Sequence, residues 1–143
     1  NDITSNFAFH AWIRDSLLAN VPYDQLVREL LGATGTVVSN PPVAWYKRVK
    51  DPKDQLEDIA QLFLGVRMQC AQCHHHPFER WSQDDYYSLS AFFSQIGRKP
   101  TGTQGEDLIF HKRGIAQAKN VKSGEMLKPV ALGEPLRRRD FSR

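Results

Sequence analysis

Long apolar runs are missing from this chain of 143 residues. The longest stretch without a charged residue runs from Leu30 to Tyr46, and glycine and proline interrupt it, so we predict no transmembrane segment. Cysteine is scarce, with only two residues, which excludes a scaffold built on many disulfides. The charge bias is small, a formal net charge of +3, and indicates no nucleic-acid partner.

The motifs of several common enzyme classes are also absent from the sequence. Gly32 and Gly35 are not followed by the Lys-Ser/Thr ending of a phosphate-binding loop. No Gly-x-Ser-x-Gly pattern, which would mark a hydrolase nucleophile, occurs. What remains is an ordinary composition, with 41% hydrophobic and 24% charged residues, which favours a globular domain with a real core.

Charge is distributed unevenly along the chain. Residues 1–97 carry eight basic and eleven acidic side chains, whereas residues 98–143 carry eleven basic and five acidic ones. We therefore predict a helical body over 1–97 and a basic, looser extension over 98–143. The arginines at 137–139 are interpreted as part of a solvated end.

Hydrophobic spacing in the body is that of helices, and the predicted fold class is mainly α, a small helical domain with a short irregular or β C-terminal extension. Ser5 is a candidate cap for a helix over 6–19. Pro22 is a candidate first residue of a second helix, which Gly32 ends. A short helix is predicted over 43–49.

Two more helices flank the centre of the sequence. The Asp-Pro pair at 51–52 begins one of them, whose apolar residues recur at helical spacing until the helix runs into Cys70. Ser82 and Asp85 have the spacing of a capping box for the next helix, which Gly97 is predicted to end.

The extension has a weaker pattern. The apolar residues at 108–110 predict a short strand, and residues 130–132 are its candidate partner in a β-hairpin.

The two cysteines stand three positions apart, and a histidine follows the second one directly: Cys70-Ala71-Gln72-Cys73-His74. This is the pattern of a c-type haem attachment site. Two thiols about one helical turn apart can each add to one haem vinyl group, and the adjacent imidazole can approach the iron. We therefore predict that Cys70 and Cys73 hold haem c and that His74 is the proximal iron ligand.

Three other interpretations of the cysteine pair stay open. Cys70, Cys73 and a histidine are suitable zinc ligands, although structural zinc sites usually have a second ligand pair downstream. Redox-active dithiols usually lie at a helix N-terminus in a βαβ unit, whereas these cysteines are predicted at a helix end. The third interpretation is a pair of inert, buried cysteines.

Residues around the motif have predicted supporting roles. His76 is too close in sequence to His74 to reach the opposite face of the same ring, so we expect it to form hydrogen bonds near the site or to cap a turn. Phe78 and Trp81 are candidate walls of a haem pocket. Arg67 is a candidate partner of the haem propionates.

The motif does not specify a sixth iron ligand. His10, His111 and Met126 are the candidates, and methionine would give a higher potential than a second histidine. An open or water-bound iron is the other alternative. It would allow a peroxidase-like activity, for which the sequence offers no distal acid–base pair.

The stretch from Cys70 to Trp81, Cys-Ala-Gln-Cys-His-His-His-Pro-Phe-Glu-Arg-Trp, resembles the signature of the planctomycete-type cytochrome c domain. This is the second of two domains so named and a family of unknown function. The resemblance extends over most of the chain and is most specific over residues 56–96. One departure is His75, where the family often has Asp or Asn.

The resemblance implies a module of a large secreted bacterial protein, with both ends of the chain joined to further segments and another domain downstream. Because haem c is attached outside the cytoplasm, we expect a periplasmic or secreted location. The expected function is one-electron transfer to a redox partner protein or to neighbouring domains, which is favoured over catalysis without excluding it. The alternative is a non-redox structural or interaction module in which the Cys/His cluster binds zinc or no metal.

Overall fold

A computed structural model describes residues 2–78 and 80–132 of the chain. The contacts among these residues form two compact units, each drawn from two segments of sequence. Over the described residues, unit 1 consists of residues 2–50 and 96–113, and unit 2 consists of residues 51–78, 80–95 and 114–132. The predicted boundary between a body and an extension at residue 97 stays a prediction about domain organisation.

Unit 1 contains the three helices predicted for the first third of the chain: α1 (Ile3–Leu18), α2 (Tyr23–Leu31) and α3 (Val43–Arg48). The predicted cap of α1 is wrong, because Asp2 takes that place and its carboxylate accepts a hydrogen bond from the Ser5 N–H at 3.0 Å. Pro22 is the N-cap of α2 and not its first residue, while Gly32 follows the last residue as predicted.

A two-stranded antiparallel sheet completes unit 1, formed by β1 (Ile96–Pro100) and β2 (Asp107–His111). The strand predicted at 108–110 is confirmed, but its predicted partner at 130–132 is wrong, because β1 takes that place. Gly97 does not end a helix. It lies in β1, where an added Cβ would come within 2.6 Å of the Phe110 ring, so the glycine permits a close approach of the two strands.

Buried aromatic and aliphatic side chains form the core of unit 1. Tyr46 is 1% exposed, and its hydroxyl donates a hydrogen bond to the Leu31 carbonyl at 2.7 Å. Burial raises the pKa of Tyr46 to about 12. Ile109 of β2 is equally buried, and its N–H and carbonyl pair with those of Gly35. The loop after α2 is therefore held to the sheet.

Unit 2 contains α4 (Pro52–Ile59) and α5 (Gln83–Ser90), together with the short antiparallel strands β3 (Ala118–Lys119) and β4 (Met126–Leu127). Both predicted helix starts are confirmed. The Asp51 side chain accepts from the Lys53 N–H at 2.8 Å, and Ser82 and Asp85 form a reciprocal capping box.

The helix predicted to run into Cys70 is interrupted. Its α-helical part ends at Ile59, and a single π turn follows over Ala60–Leu64. Gly65 then has φ +68°, a left-handed conformation that favours glycine. The N–H groups of Gly65 and Val66 both donate to the Ala60 carbonyl and end the helix there.

One hydrophobic cluster fills the interior of unit 2. Its fully buried members are Leu56, Ala60, Met68, Ala71, Tyr86 and Tyr87. The Tyr86 hydroxyl donates to the Glu57 carboxylate at 2.7 Å, and burial together with this nearby negative charge raises the pKa of Tyr86 far above its usual range.

The architecture is therefore helix-rich, with five α-helices and two small antiparallel sheets among the described residues. The predicted mainly-α class is confirmed in part, because the strands occupy more of the chain than a short extension. Within residues 2–78 and 80–132, no helix is both long and apolar enough to cross a membrane.

Candidate functional site

The cysteine motif begins on a short 3₁₀ helix, Met68–Gln72, in unit 2, and Cys73 follows as the C-cap residue of that helix. Residues three positions apart are eclipsed in a 3₁₀ helix, so such pairs share a side. Met68 and Ala71 form the inward pair, and both are 0% exposed within the hydrophobic cluster. Cys70 and Cys73 are both exposed and carry free thiols. The three-residue period thus anchors the turn in the core and leaves both sulfurs at the surface.

His74 follows the second cysteine directly and is also exposed. Its Nδ1 lies 2.6 Å from the His75 carbonyl oxygen. Because a carbonyl only accepts hydrogen bonds, Nδ1 must carry the proton in this contact. In the neutral ring, Nε2 then keeps its lone pair and is the nitrogen that can bind a metal ion.

His76 is half-buried and has partners at several of its atoms. Its Nε2 lies 3.0 Å from the Arg67 carbonyl oxygen, and its Nδ1 accepts from the Phe78 N–H at 3.3 Å. Its backbone N–H donates to the Trp81 carbonyl at 2.8 Å. These bonds occupy both ring nitrogens, and the supporting role of His76 at a haem site stays a prediction.

Gln83, the first residue of α5, connects the motif to this helix. Its side chain is 8% exposed and donates from Nε2 to the Gln72 carbonyl at 2.7 Å. The 3₁₀ helix therefore packs on the core through Met68 and Ala71, and its last residue, Gln72, is hydrogen-bonded to α5. Sequence reasoning missed Gln83, and no local pattern could have identified it, because its partner lies eleven residues away.

The three residues expected around a haem pocket differ in placement. Phe78 is 91% exposed and points into solvent in the described structure. Trp81 is half-buried and packs against the hydrophobic cluster, while its Nε1 is buried without a hydrogen-bond partner among the residues described. The backbone carbonyl of Arg67 accepts the His76 bond, and its side chain is on the exposed surface.

The three candidates for a sixth iron ligand divide between the units. His10 on α1 and His111 at the end of β2 are exposed residues of unit 1. Met126 in β4 is 52% exposed and belongs to unit 2, as the motif does. The assignment of a sixth ligand stays a prediction.

The chemistry of the donor set fits covalent haem. Two exposed thiols can each form one thioether bond, and one imidazole nitrogen with a lone pair can supply one axial bond. In the described part of the chain, no group of three or more His, Cys, Asp or Glu side chains is arranged to hold a metal ion. A haem site needs no such group, because only one of the motif's side chains binds the iron.

The described residues form a small helix-rich domain that presents a cysteine–histidine turn at its surface. The family model PSCyt2, described as a protein of unknown function (DUF1549), matches residues 1–98. The chain belongs to this family, a planctomycete cytochrome c-type domain of unknown function, which confirms the family resemblance of the sequence. No curated protein and no solved structure matches the chain.

Proposed function

We propose that this domain binds haem c covalently and transfers electrons one at a time within a larger secreted bacterial protein. One observation carries the proposal. Two exposed thiols lie at the end of a short 3₁₀ helix, Cys70 within it and Cys73 as its C-cap residue, and the next residue is an exposed histidine with Nε2 available to a metal. Each of these groups is one that c-type haem attachment requires.

Cys70 and Cys73 would hold the porphyrin through two thioether bonds. Their backbone is anchored on the inner side of the turn, where Met68 and Ala71 are completely buried. Side chains in a close-packed core sit in defined positions, so the sulfurs project from a rigid base. This arrangement would restrict the movement of the attached ring relative to unit 2.

His74 would supply the proximal iron bond from Nε2. The hydrogen bond from Nδ1 to the His75 carbonyl selects the tautomer and orients the ring, as outer hydrogen bonds commonly do for metal-binding histidines. When bound, haem supplies an iron centre that can gain or lose one electron.

The other interpretations of the cysteine pair have less support. Inert packing residues would be buried, whereas both thiols are exposed. A redox dithiol is typically activated at the N-terminus of a helix, but here Cys70 lies within a five-residue 3₁₀ helix, Cys73 is its C-cap residue, and no α-helix begins at them. The zinc alternative has the right ligand types and is separated from haem by experiment.

The location and partners follow from the proposed chemistry. Attachment of haem c takes place outside the cytoplasm, so the proposal includes a periplasmic or secreted location. Electrons would pass to a redox partner protein or to neighbouring domains of the same polypeptide.

The test is expression of the chain in the periplasm together with the cytochrome c maturation machinery. We expect a haem-stained band on a denaturing gel, an intact mass increased by one haem, and iron at one atom per chain. A colourless band with the mass of the bare polypeptide would overturn the proposal. Zinc at one atom per chain would support the structural alternative instead.

Variants identify the residues responsible. The double substitution Cys70→Ala and Cys73→Ala should abolish the stained band, and His74→Ala should strongly alter the absorption spectrum of the bound haem. The matched controls are Gln69→Ala, at an exposed position on the same turn, and His75→Ala, beside the proposed ligand. Both controls should keep covalent haem at the wild-type level.

A further inference from the structure

The two histidines that flank His75 have different hydrogen-bonding states. His74 is exposed and uses one ring nitrogen, whereas His76 is half-buried and uses both. The partner of His76 Nε2 is a carbonyl, which only accepts, and the partner of Nδ1 is an N–H group, which only donates. The tautomer with its proton on Nε2 satisfies both contacts at once.

The bond from His76 to Arg67 closes a loop around the motif. Arg67 directly precedes the 3₁₀ turn as its N-cap, and His76 lies nine residues further along the chain. Both cysteines and His74 lie between these two residues. The side chain of His76 thus joins the entry and the exit of the segment that contains every proposed haem-binding group.

Two further bonds fix the exit of this loop. The Phe78 N–H donates to His76 Nδ1, and the His76 N–H donates to the Trp81 carbonyl. Trp81 packs against the hydrophobic cluster that also holds Met68 and Ala71. The loop is therefore held to the same core at both ends, and His76 is the residue that connects them.

We infer that His76 is a positioning residue, which closes the 67–78 loop and so fixes the direction in which His74 presents Nε2. This inference rests on the proposed haem function for its purpose, but the loop closure itself is a property of the chain without haem. A half-buried ring with both nitrogens occupied is not available as an iron ligand. His76 therefore acts indirectly: it fixes the backbone of the loop, and the backbone in turn orients the ring of His74, two residues earlier.

The experiment compares His76→Ala and His76→Gln with His75→Ala. Glutamine carries an amide donor at a position similar to Nε2, so it should keep the bond to the Arg67 carbonyl. The alanine substitution at 75 leaves the carbonyl that accepts from His74 in place and serves as the matched control. In the haem-free protein, amide exchange over residues 67–81 should accelerate in His76→Ala, remain near the wild-type rate in His76→Gln and be unchanged outside the loop.

In the haem-loaded protein, His76→Ala should lower the yield of covalent haem by about tenfold, the low end of the effect expected for groups that orient a metal ligand. The electron paramagnetic resonance of the remaining haem should shift, because it reports the orientation of the axial imidazole, and His76→Gln should restore both readouts.

Equal yield and an unchanged spectrum in His76→Ala would overturn the positioning role, as would unchanged exchange in the loop. Failure of the wild-type chain to take up haem would overturn the proposed function and the positioning role with it. Amide exchange in the haem-free protein still shows whether His76 closes the loop, because that measurement needs no haem. It therefore distinguishes a wrong haem function from a wrong loop closure.

Discussion

Unit 1 and unit 2 each enclose a tyrosine, and the two phenols have different partners. Tyr46 in unit 1 donates to the Leu31 backbone carbonyl, and Tyr86 in unit 2 donates to the Glu57 carboxylate. Both rings are almost completely buried. The neutral partner leaves burial as the cause of the pKa rise of Tyr46, whereas the carboxylate raises the pKa of Tyr86 further.

The units also differ in what they expose. Helix α1 of unit 1 exposes apolar residues such as Phe7 and Leu18, while its buried residues are Ser5 and Ser16. Unit 2 exposes two thiols and an imidazole on a turn whose other side lies in its core. The comparison indicates that the positions of the two thiols and the imidazole depend on the packing of unit 2. Substitutions in the core of unit 2 should therefore change the stability of the turn.

Truncation of the core tyrosine in either unit should have the largest effect on the stability of the chain. Tyr46→Ala and Tyr86→Ala each remove a buried aromatic ring, and we expect each to lower the free energy of unfolding by about 3–5 kcal/mol. Urea unfolding followed by circular dichroism measures this loss. Only Tyr86→Ala should also accelerate native-state exchange of the His76 amide, since Tyr86 shares a cluster with Met68 and Ala71. Equal acceleration by both variants would contradict the distinction between the units.

Alkaline pH should act through Tyr46 with the next largest effect. Its pKa in the folded chain is about 12, against 10.0 for the free side chain. The folded state therefore holds the phenol proton more tightly, so this contribution is complete below pH 10 and is lost as pH rises to about 12. The loss is up to about 2–3 kcal/mol. Urea unfolding at pH 9 and pH 11 measures this loss. The raised pKa of Tyr86 acts in the same direction, so Tyr46→Phe should reduce the pH dependence without abolishing it. A slope in Tyr46→Phe as steep as in wild type would assign the effect to other groups.

The capping box of α5 provides a smaller test within unit 2. Ser82→Ala removes the hydroxyl that accepts from the Asp85 N–H at 3.1 Å and should cost about 1 kcal/mol of unfolding free energy. Ser82→Gly should lower the free energy of unfolding by only a few tenths of a kcal/mol, because glycine tolerates the cap conformation. The denaturation midpoints of the two variants provide the measurement. If glycine costs more than alanine, the loss comes from chain flexibility and the side-chain bond is not its source.

Substitutions of exposed phenylalanines should have the smallest effect. Phe7 in unit 1 is 71% exposed and Phe78 in unit 2 is 91% exposed, so replacing either with serine removes little packing. We expect both variants to stay within about 0.5 kcal/mol of wild type. Thermal unfolding of the haem-free chains checks this, and a large loss in Phe78→Ser would show that the ring packs on the loop.

Local features of the fold were predictable because their partners lie within a few residues. The caps at Asp51 and Ser82 and the end of α2 at Gly32 depend on bonds or backbone conformations inside one helical turn. The spacing of Cys70, Cys73 and His74 is likewise a local property. These are the interactions that a linear pattern can contain.

The pairing of β1 was missed because its residues show no apolar alternation. Ile96–Pro100 is mostly polar, and its place is set by backbone bonds to β2 and by the fit of Gly97 against Phe110. The helix prediction before Cys70 failed for a related reason. Its apolar spacing continues past Ile59, but packing and the left-handed Gly65 end the helix before the motif.

Residue types at short, fixed spacings were enough to identify the family, the starts of α4 and α5 and the chemical identity of the candidate site. The tertiary structure alone decided which side of the cysteine turn is buried and which ring nitrogens of His74 and His76 are occupied. Burial and hydrogen bonding depend on groups brought together from distant positions, such as Arg67 with His76 and Gln72 with Gln83. Only the folded chain contains those distances.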